Sequence, residues 1–297
     1  MIRPLLFLLC LIVVSGCNEV DNYLGREKKN VSYSYSCLDS AVGGKSLNRN
    51  LDKAGDFIRD VAVSEKSITD EIQTQYGEEF HKQMISEGSF KIVTDTKIQQ
   101  RLDVVLKRLL GAREKPSSIG YKIFLLNDTT INAFTFGGRI YITRAMLKQC
   151  EGKDALLYAI VGHEIGHSET GHIKTTIQEL ELSDRLFGKN GATLFQIKQL
   201  LTASFNQRNE LEADYYGINL TNALGYDVCS AVAFWKEMGS KENQYSEVED
   251  FFRTHPFSQL RAQCLNNHIS TNFGKECGDL NRSNLHPQVI TNKKSGT

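Results

Sequence analysis

The clearest pattern of apolar and polar positions lies between residues 67 and 111. Apolar residues recur there every three or four positions in two separate segments, which predicts two amphipathic helices packed against a core. The second helix is expected to stop at Gly111. The apolar positions are Ile68, Ile72, Tyr76, Phe80 and Met84 in the first segment, and Ile98, Leu102, Val105, Leu106 and Leu109 in the second.

Three short segments after residue 120 have the composition of β-strands. They cover residues 121–126, 132–136 and 139–143, and Gly137 and Gly138 join the last two. Two glycines between apolar runs are typical of a tight hairpin. The sequence therefore predicts a small antiparallel sheet.

Residues 154–172, DALLYAIVGHEIGHSETGH, begin with a run that is apolar on more than one side. Such a run predicts a helix that is buried on more than one face. Gly162 and Gly166 weaken a helix, so we expect them where a larger side chain would crowd an ion or a neighbouring helix.

The second half of the chain has a less regular pattern. Residues 179–191 are charged and contain glycine, which predicts a mobile loop, and residues 194–205 predict a core helix or a lid. Asp227 is expected to cap a further helix that ends at Gly239. Together the segments predict one α+β domain that is mainly helical.

The N-terminus has the features of an export signal. Residues 1–16 contain one arginine and an apolar run that is short for a membrane span but long enough for a signal peptide. The following VSGC, which ends at Cys17, resembles the bacterial lipobox, so we expect cleavage before Cys17 and lipid attachment to its sulfur. An uncleaved anchor helix is the alternative. By resemblance to known sorting rules, Asn18 favours the outer membrane of a Gram-negative cell.

This interpretation divides the chain into four parts. Residues 1–16 form a signal peptide, residues 17–50 a lipidated N-terminus and tether, residues 51–280 the folded domain, and residues 281–297 a disordered polar tail. The lipid, rather than a protein helix, would hold the domain to the membrane.

Charge and cysteine content narrow the classes of function. The 35 basic residues balance the 35 acidic residues, so nothing in the charge points to nucleic acid. In an oxidising compartment the cysteines that remain after processing predict one or two disulfides and a leftover thiol, but their pairing cannot be determined from sequence. These cysteines are Cys37, Cys150, Cys229, Cys264 and Cys277, and the last three are the favoured pool.

The buried helix also carries the candidate chemistry, because His163, Glu164 and His167 form an HExxH pattern. Histidines four positions apart lie on one helical face and can bind the same ion. Glu164 is rotated by about 100° from His163. It is therefore expected to act as a general base on a water molecule beside a zinc ion. An accidental pattern in an ordinary helix is the alternative.

A catalytic zinc needs a third protein ligand. His172 lies off the face of the other two histidines, so we expect a surface or helix-end histidine there. The better candidate is Glu210, with Asp214 one turn later to hold a ligand histidine through its other ring nitrogen. Glu212 is expected to make a solvent or helix-end contact.

These motifs resemble the prenyl-protease-type gluzincin zinc metallopeptidases, the family of HtpX, the Oma proteases, BepA and LoiP. The resemblance is carried by HEIGH at 163–167 and ELEAD at 210–214. It is extended by NAFTFGGRIYITR at 132–144 and by THP at 254–256 followed by Arg261. The resemblance implies a gluzincin fold at residues 51–280, and one zinc ion per chain.

The resemblance also implies roles for other residues. His255 and Arg261 would stabilise the oxyanion, or His255 would occupy the open coordination position. The strand near Ala133 and Phe134 would pair with the extended backbone of a substrate. A capping histidine, a surface arginine and a purely structural sheet are the alternatives.

The sequence thus predicts a zinc-dependent endopeptidase, tethered by lipid to the periplasmic face of the outer membrane. By analogy, its substrates would be unfolded or misassembled envelope proteins, and envelope assembly machinery is a possible partner. Two alternatives remain open: a chaperone-like assembly factor with a latent protease site, and a zinc amidase that acts on peptidoglycan peptides.

Overall fold

A computed structural model of the protein describes residues 31–39, 63–187, 206–241, 255 and 259–278. The predicted signal peptide, the lipidation site at Cys17, most of the predicted tether, the segment at 194–205 and the tail lie outside these residues. From Tyr33 onward the described residues belong to one compact unit.

The described chain is mainly helical, with one small sheet, which confirms the predicted fold class. None of the helices described is long and apolar enough to cross a membrane. The helices are α1 (Ser36–Asp39), α2 (Asp70–Ser86), α3 (Thr96–Gly111), α4 (Arg144–Gln149), α5 (Asp154–Glu169), α6 (His172–Phe187), α7 (Gln207–Ala223), α8 (Cys229–Lys241) and α9 (Gln259–Phe273). The strands are β1 (Lys122–Leu126), β2 (Ala133–Phe136) and β3 (Arg139–Thr143).

The sheet has the order β1-β3-β2 and is mixed rather than antiparallel. The predicted hairpin is confirmed: Gly137 and Gly138 both have positive φ, at 54° and 79°, which the tight turn between β2 and β3 requires. The prediction of an antiparallel sheet is wrong for β1, which pairs in parallel with β3. Strand β2 occupies one side of β3, so β1 pairs with the opposite side, where β1 and β3 run in the same direction.

Helices cover both faces of this sheet. Alternate residues such as Ile123 and Ile140 join a core with α3 and α5. The residues between them, such as Tyr141, pack with Phe80 of α2 and Ile177 of α6. Both amphipathic stripes predicted from sequence supply buried residues to these cores. The central strand β3 is buried along its whole length.

Helices α5 and α7 cross at very short range because small residues line the crossing. A Cβ atom added to Gly162 would lie 2.9 Å from the Cα of Gly217, and one added to Gly166 would lie 2.9 Å from the Cα of Ala213. Real Cβ contacts essentially never fall below 3.0 Å. The expectation that these glycines admit a neighbouring helix is therefore met at this crossing, and the close approach positions the site.

Part of the predicted tether is bound to the domain. Cys37 forms a disulfide with Cys264 of α9, and the hydroxyl of Tyr215 donates a 2.6 Å hydrogen bond to the carbonyl of Ser34. A second disulfide joins Cys229 to Cys277, and among the described cysteines Cys150 is a buried free thiol. The chain around residues 33–39 is thus part of the folded unit.

Two other expectations need correction. Helix α6 continues through residues 179–187, which were expected to form a mobile loop, while residues 188–191 lie outside the described chain. Its buried residues Ile173, Ile177 and Leu180 recur at helical spacing, so one face of the helix packs on the core while the charged residues between them lie on the other. Helix α8 follows Asp227 as predicted but extends past Gly239 to Lys241.

Candidate active site

Helix α5 brings both histidines of the HExxH pattern to one point. The Nε2 atoms of His163 and His167 lie 3.0 Å apart, and both side chains are buried. Each Nε2 carries a lone pair when it is unprotonated, so two such nitrogens this close together can bind the same ion. Their separation of one helical turn produces this convergence.

The crossing of α7 over α5 adds a carboxylate to the same point. Glu210 is fully buried, with Oε1 3.3 Å from His167 Nε2 and Oε2 3.6 Å from His163 Nε2. Glu210 lies in the first turn of α7, whose N-cap is Asn206. Because Gly217 and Gly162 allow the helices to touch, this first turn reaches the two histidines.

A fourth side chain comes from outside these two helices. His255 is buried, with Nδ1 3.3 Å from His163 Nε2 and 3.2 Å from Glu210 Oε2. Its Nε2 donates to the carbonyl of Ala133 at 3.0 Å and lies 3.6 Å from Glu164 Oε1. The ligand atoms of His163, His167, Glu210 and His255 all lie within 4.8 Å of one another.

These residues suit a zinc ion. Imidazole nitrogens and a carboxylate oxygen are ligands that zinc prefers, and three protein ligands with one further position are typical of catalytic zinc. Within the described part of the chain, the buried atoms Glu210 Oε1 and Glu164 Oε2 have no hydrogen-bond partner. Buried carboxylate oxygens are costly without a partner, so a cation at this point would satisfy them.

Asp214 and Arg261 contact the candidate metal ligands His163 and Glu210. Asp214 Oδ1 accepts from Nδ1 of His163 at 2.8 Å, as its predicted role requires. Arg261 donates through Nε to Asp214 Oδ2 at 2.9 Å, and another of its nitrogens lies 2.9 Å from Glu210 Oε2. The guanidinium also lies over the ring of Trp235, 4.8 Å from its centroid. Arg261 is therefore directed at the two carboxylates.

Comparison with known proteins agrees with this geometry. The model of the peptidase family M48 matches residues 94–269, which is more than half of the chain and contains the entire site. The chain belongs to peptidase family M48. Members of this family are metallopeptidases that use zinc, and the buried group of His163, His167, Glu210 and His255 is where this M48 chain can hold one metal ion.

Several curated proteins are similar to this M48 chain. Mitochondrial metalloendopeptidase OMA1 of Schizosaccharomyces pombe is 29% identical over 168 residues, which cover 54% of the chain and 49% of that protein. The β-barrel assembly-enhancing protease of Escherichia coli K12 is 25% identical over 207 residues, which cover 64% and 42%. Metalloprotease LoiP of Escherichia coli K12 is 27% identical over 175 residues, which cover 54% and 67%. The chain spans about half the length of the first two relatives.

Burial and charge shift the pKa values in the M48 site. Burial raises the pKa of Glu164 and lowers that of His167 well below its ordinary value. For His255, burial opposes the charged form, but the carboxylates of Glu210 and Glu164 outweigh it and raise the pKa to about 9. Burial likewise opposes the charged form of Glu210, yet His255 and Arg261 hold its pKa well below its usual range.

The edge strand of the M48 sheet borders this site through the backbone of Ala133. The Asn132 carbonyl accepts from the Thr143 amide, so alternation along an antiparallel ladder turns the backbone groups of Ala133 and Thr135 away from β3. The corresponding groups of Phe134 face β3, and its ring stacks on Tyr141 with centroids 4.9 Å apart. Of the two residues predicted for substrate, Ala133 is the one whose backbone groups point away from β3.

Two residues of the M48 site were not anticipated. His172 begins α6, so the expected helix-end position is confirmed, but its side chain is only 5% exposed and its Nδ1 lies 3.0 Å from Nδ1 of His167. Glu212, for which a solvent or helix-end contact was expected, makes a helix-end contact, because its Oε2 lies 3.3 Å from Nε2 of His172. Helical spacing could not reveal this contact, because α5 ends at Glu169 and Gly171, with φ of 89°, turns the chain back. His172 and Glu212 therefore lie behind a predicted ligand.

Proposed function

We propose that this protein is a zinc-dependent endopeptidase in which His163, His167 and Glu210 hold the metal and Glu164 moves the proton. The observation that carries this proposal is the convergence of three ligand side chains from two helices, beside a buried carboxylate. Bound zinc supplies a Lewis acid that makes water nucleophilic near neutral pH. All other roles belong to residues of this chain.

Glu164 is suited to carry a proton from the attacking water to the amine that leaves. Its carboxylate is buried beside the ligand histidines, and burial raises its pKa toward the range in which a group both accepts and returns a proton. It belongs to α5, which fixes its position relative to His163. We assign it as general base in the attack and as proton donor when the peptide bond breaks.

We assign the stabilisation of the tetrahedral oxyanion to His255 rather than to Arg261. The ring of His255 lies within the ligand group and carries a nitrogen that can donate to a developing negative charge. Arg261 is 1% exposed and is already held by the carboxylates of Asp214 and Glu210. Its proposed role is to fix those two carboxylates in place.

Substrate is proposed to bind as an added strand on β2. The amide and carbonyl of Ala133 point away from β3. An extended substrate backbone would pair with them by taking the place of His255, whose Nε2 donates to this carbonyl at 3.0 Å. Recognition through backbone hydrogen bonds depends little on the side chains of the substrate. This suits unfolded or misassembled proteins, whose exposed segments are extended and varied in sequence.

The proposed location is the bacterial envelope, with the lipid on Cys17 as the membrane anchor. The lipobox-like sequence before Cys17 supports this location. Two relatives from Escherichia coli are proteases, and one of them is named for enhancing β-barrel assembly. By analogy we propose unfolded or misassembled envelope proteins as substrates and the envelope assembly machinery as a partner.

The test is cleavage of unfolded casein by the purified wild-type protein and by Glu164→Gln, at matched zinc content. We expect the variant to bind one zinc per chain and to cleave about 10²–10⁴-fold more slowly. Glu151→Gln, an exposed glutamate outside the site, is the matched control and should cleave normally. Proteolysis retained by Glu164→Gln would refute the base assignment, and release of muropeptide fragments with intact casein would favour the amidase.

A latent site in a chaperone-like factor is the second candidate, because His255 lies within the ligand group and also bonds the edge strand. In that state the ring would occupy both the fourth metal position and the carbonyl that a substrate strand needs. His255→Ala distinguishes the two candidates. Faster casein cleavage in this variant would indicate a latent site, whereas slower cleavage would indicate that His255 stabilises the oxyanion.

A further inference from the structure

The two ligand histidines of α5 have different surroundings on the side away from the metal position. His163 donates from Nδ1 directly to the carboxylate of Asp214. His167 instead meets another imidazole, that of His172, with Nδ1 atoms 3.0 Å apart and ring centroids 5.1 Å apart. The other nitrogen of His172 lies 3.3 Å from Glu212 Oε2. The three groups form a chain that ends in a carboxylate.

Only one arrangement of protons in this chain is compatible with a metal. His167 Nε2 faces the metal position and must offer a lone pair, so its proton lies on Nδ1. His172 must then accept at Nδ1 and carry its own proton on Nε2. That proton is donated to Glu212, which as a carboxylate can only accept. The reverse order would place a proton on Nε2 of His167, where it would oppose the metal.

The contacts around His172 favour this order. The hydroxyl of Thr170 lies 3.2 Å from both ring nitrogens, but it donates its own proton to the carbonyl of Gly166 at 2.7 Å. It is therefore not a competing donor to Nδ1 of His172. The second oxygen of Glu212 accepts from Nε of Arg208 at 3.1 Å, which keeps the carboxylate oriented toward the ring.

We propose that His172 and Glu212 are positioning residues that fix the tautomer and the ring orientation of His167 for zinc. This inference rests on the proposed role of His167 as a zinc ligand. His172 would accept the Nδ1 proton of His167, as Asp214 accepts that of His163. Glu212 would accept the proton on Nε2 of His172, which leaves Nδ1 of His172 to act as the acceptor. Partners of this kind change metal affinity by about 10–100-fold in metalloproteins.

The test compares His172→Phe, which keeps a ring but removes the acceptor, with His172→Asn, whose amide oxygen can lie near the position of Nδ1. Zinc affinity of the purified full chain is measured by competition with a chelator. The visible spectrum of the Co²⁺-substituted protein reports the ligand geometry. We expect His172→Phe to lower zinc affinity about 10–100-fold and to shift the Co²⁺ bands. His172→Asn should restore most of both.

His268→Phe is the matched control. His268 is also a buried histidine, but it bonds Asn219 on the far part of α7 and stacks on Tyr215. This variant can change stability and should leave zinc affinity unchanged. Equal losses of affinity in the two phenylalanine variants would reduce His172 to a packing role and overturn the proposal.

Glu212→Met tests the same chain at a position that is only half-buried, and it serves if His172→Phe does not fold. It removes the terminal acceptor, and we expect a loss of zinc affinity of about tenfold. Unchanged affinity in Glu212→Met would overturn the inference while the proposed zinc site stood. Failure of the wild-type protein to bind one zinc per chain would refute both.

Discussion

Gly217 offers the sharpest test of how the fold builds the active site. A Cβ atom at this position would lie 2.6 Å from the backbone nitrogen of His163 and 2.8 Å from the carbonyl carbon of Gly162. Ordinary van der Waals contact begins at 3.4 Å, so α5 and α7 must separate by about 0.8 Å in Gly217→Ala. Both neighbours are backbone atoms, which cannot swing aside.

Two opposing effects decide the outcome of Gly217→Ala. Alanine favours the helical state over glycine by about 1 kcal/mol. Overpacking of a close helix crossing costs about 1–3 kcal/mol. Zinc ligands tolerate displacements of only about 0.2 Å, so a shift of Glu210 away from His163 also weakens the metal site. We expect lower stability and a loss of zinc affinity of at least about tenfold.

The assays are urea denaturation of the metal-free protein and competition for zinc with a chelator. Gly111→Ala is the matched control, because Gly111 ends α3 and an added Cβ would meet no atom within 4 Å. It should be neutral or slightly stabilising and should bind zinc normally. Wild-type zinc affinity in Gly217→Ala would refute the argument that close helix contact sets the ligand geometry.

Two further predictions concern the groups that brace the site. Arg261→Met leaves the buried carboxylate of Asp214 without its cation, so the free energy of unfolding should fall by about 3–5 kcal/mol in urea. The control Arg101→Met removes an arginine that is 41% exposed and should cost less than about 1 kcal/mol, so similar losses would contradict this account. Replacing Cys37 and Cys264 with serine opens a cross-link between positions 227 residues apart and should cost about 2–5 kcal/mol. A midpoint of urea unfolding equal to that of the wild type would show that this disulfide is dispensable.

Sequence patterns predicted the local elements well where one periodicity dominated. The stripe that contains Phe80 and Met84 became α2, and the two glycines before Arg139 became the turn of the hairpin. The charged residues at 179–187 wrongly predicted a loop, because the buried positions Ile173, Ile177 and Leu180 recur at helical spacing and α6 continues to Phe187. Burial depends on the neighbouring elements, and charged residues can occupy the exposed side of the same helix.

The pairing of distant segments could not be predicted in the same way. The parallel pairing of β1 with β3 and the disulfide between Cys37 and Cys264 join positions that no local pattern relates. Five candidate cysteines allow many pairings, and only the folded chain brings two of those pairs within bonding distance. The same limit explains why the segment around Cys37 was interpreted as a tether.

The sequence by itself determined the chemistry of the site, because ligands one turn apart on one helix are placed by helical geometry alone. His163 and His167 needed only α5 to converge. Tertiary structure decided the rest: the crossing at Gly217 brings Glu210 to them, and the turn at Gly171 brings His172 behind His167. Contacts between separate elements depend on how closely backbones approach, and that distance is a property of the packed fold rather than of any short sequence.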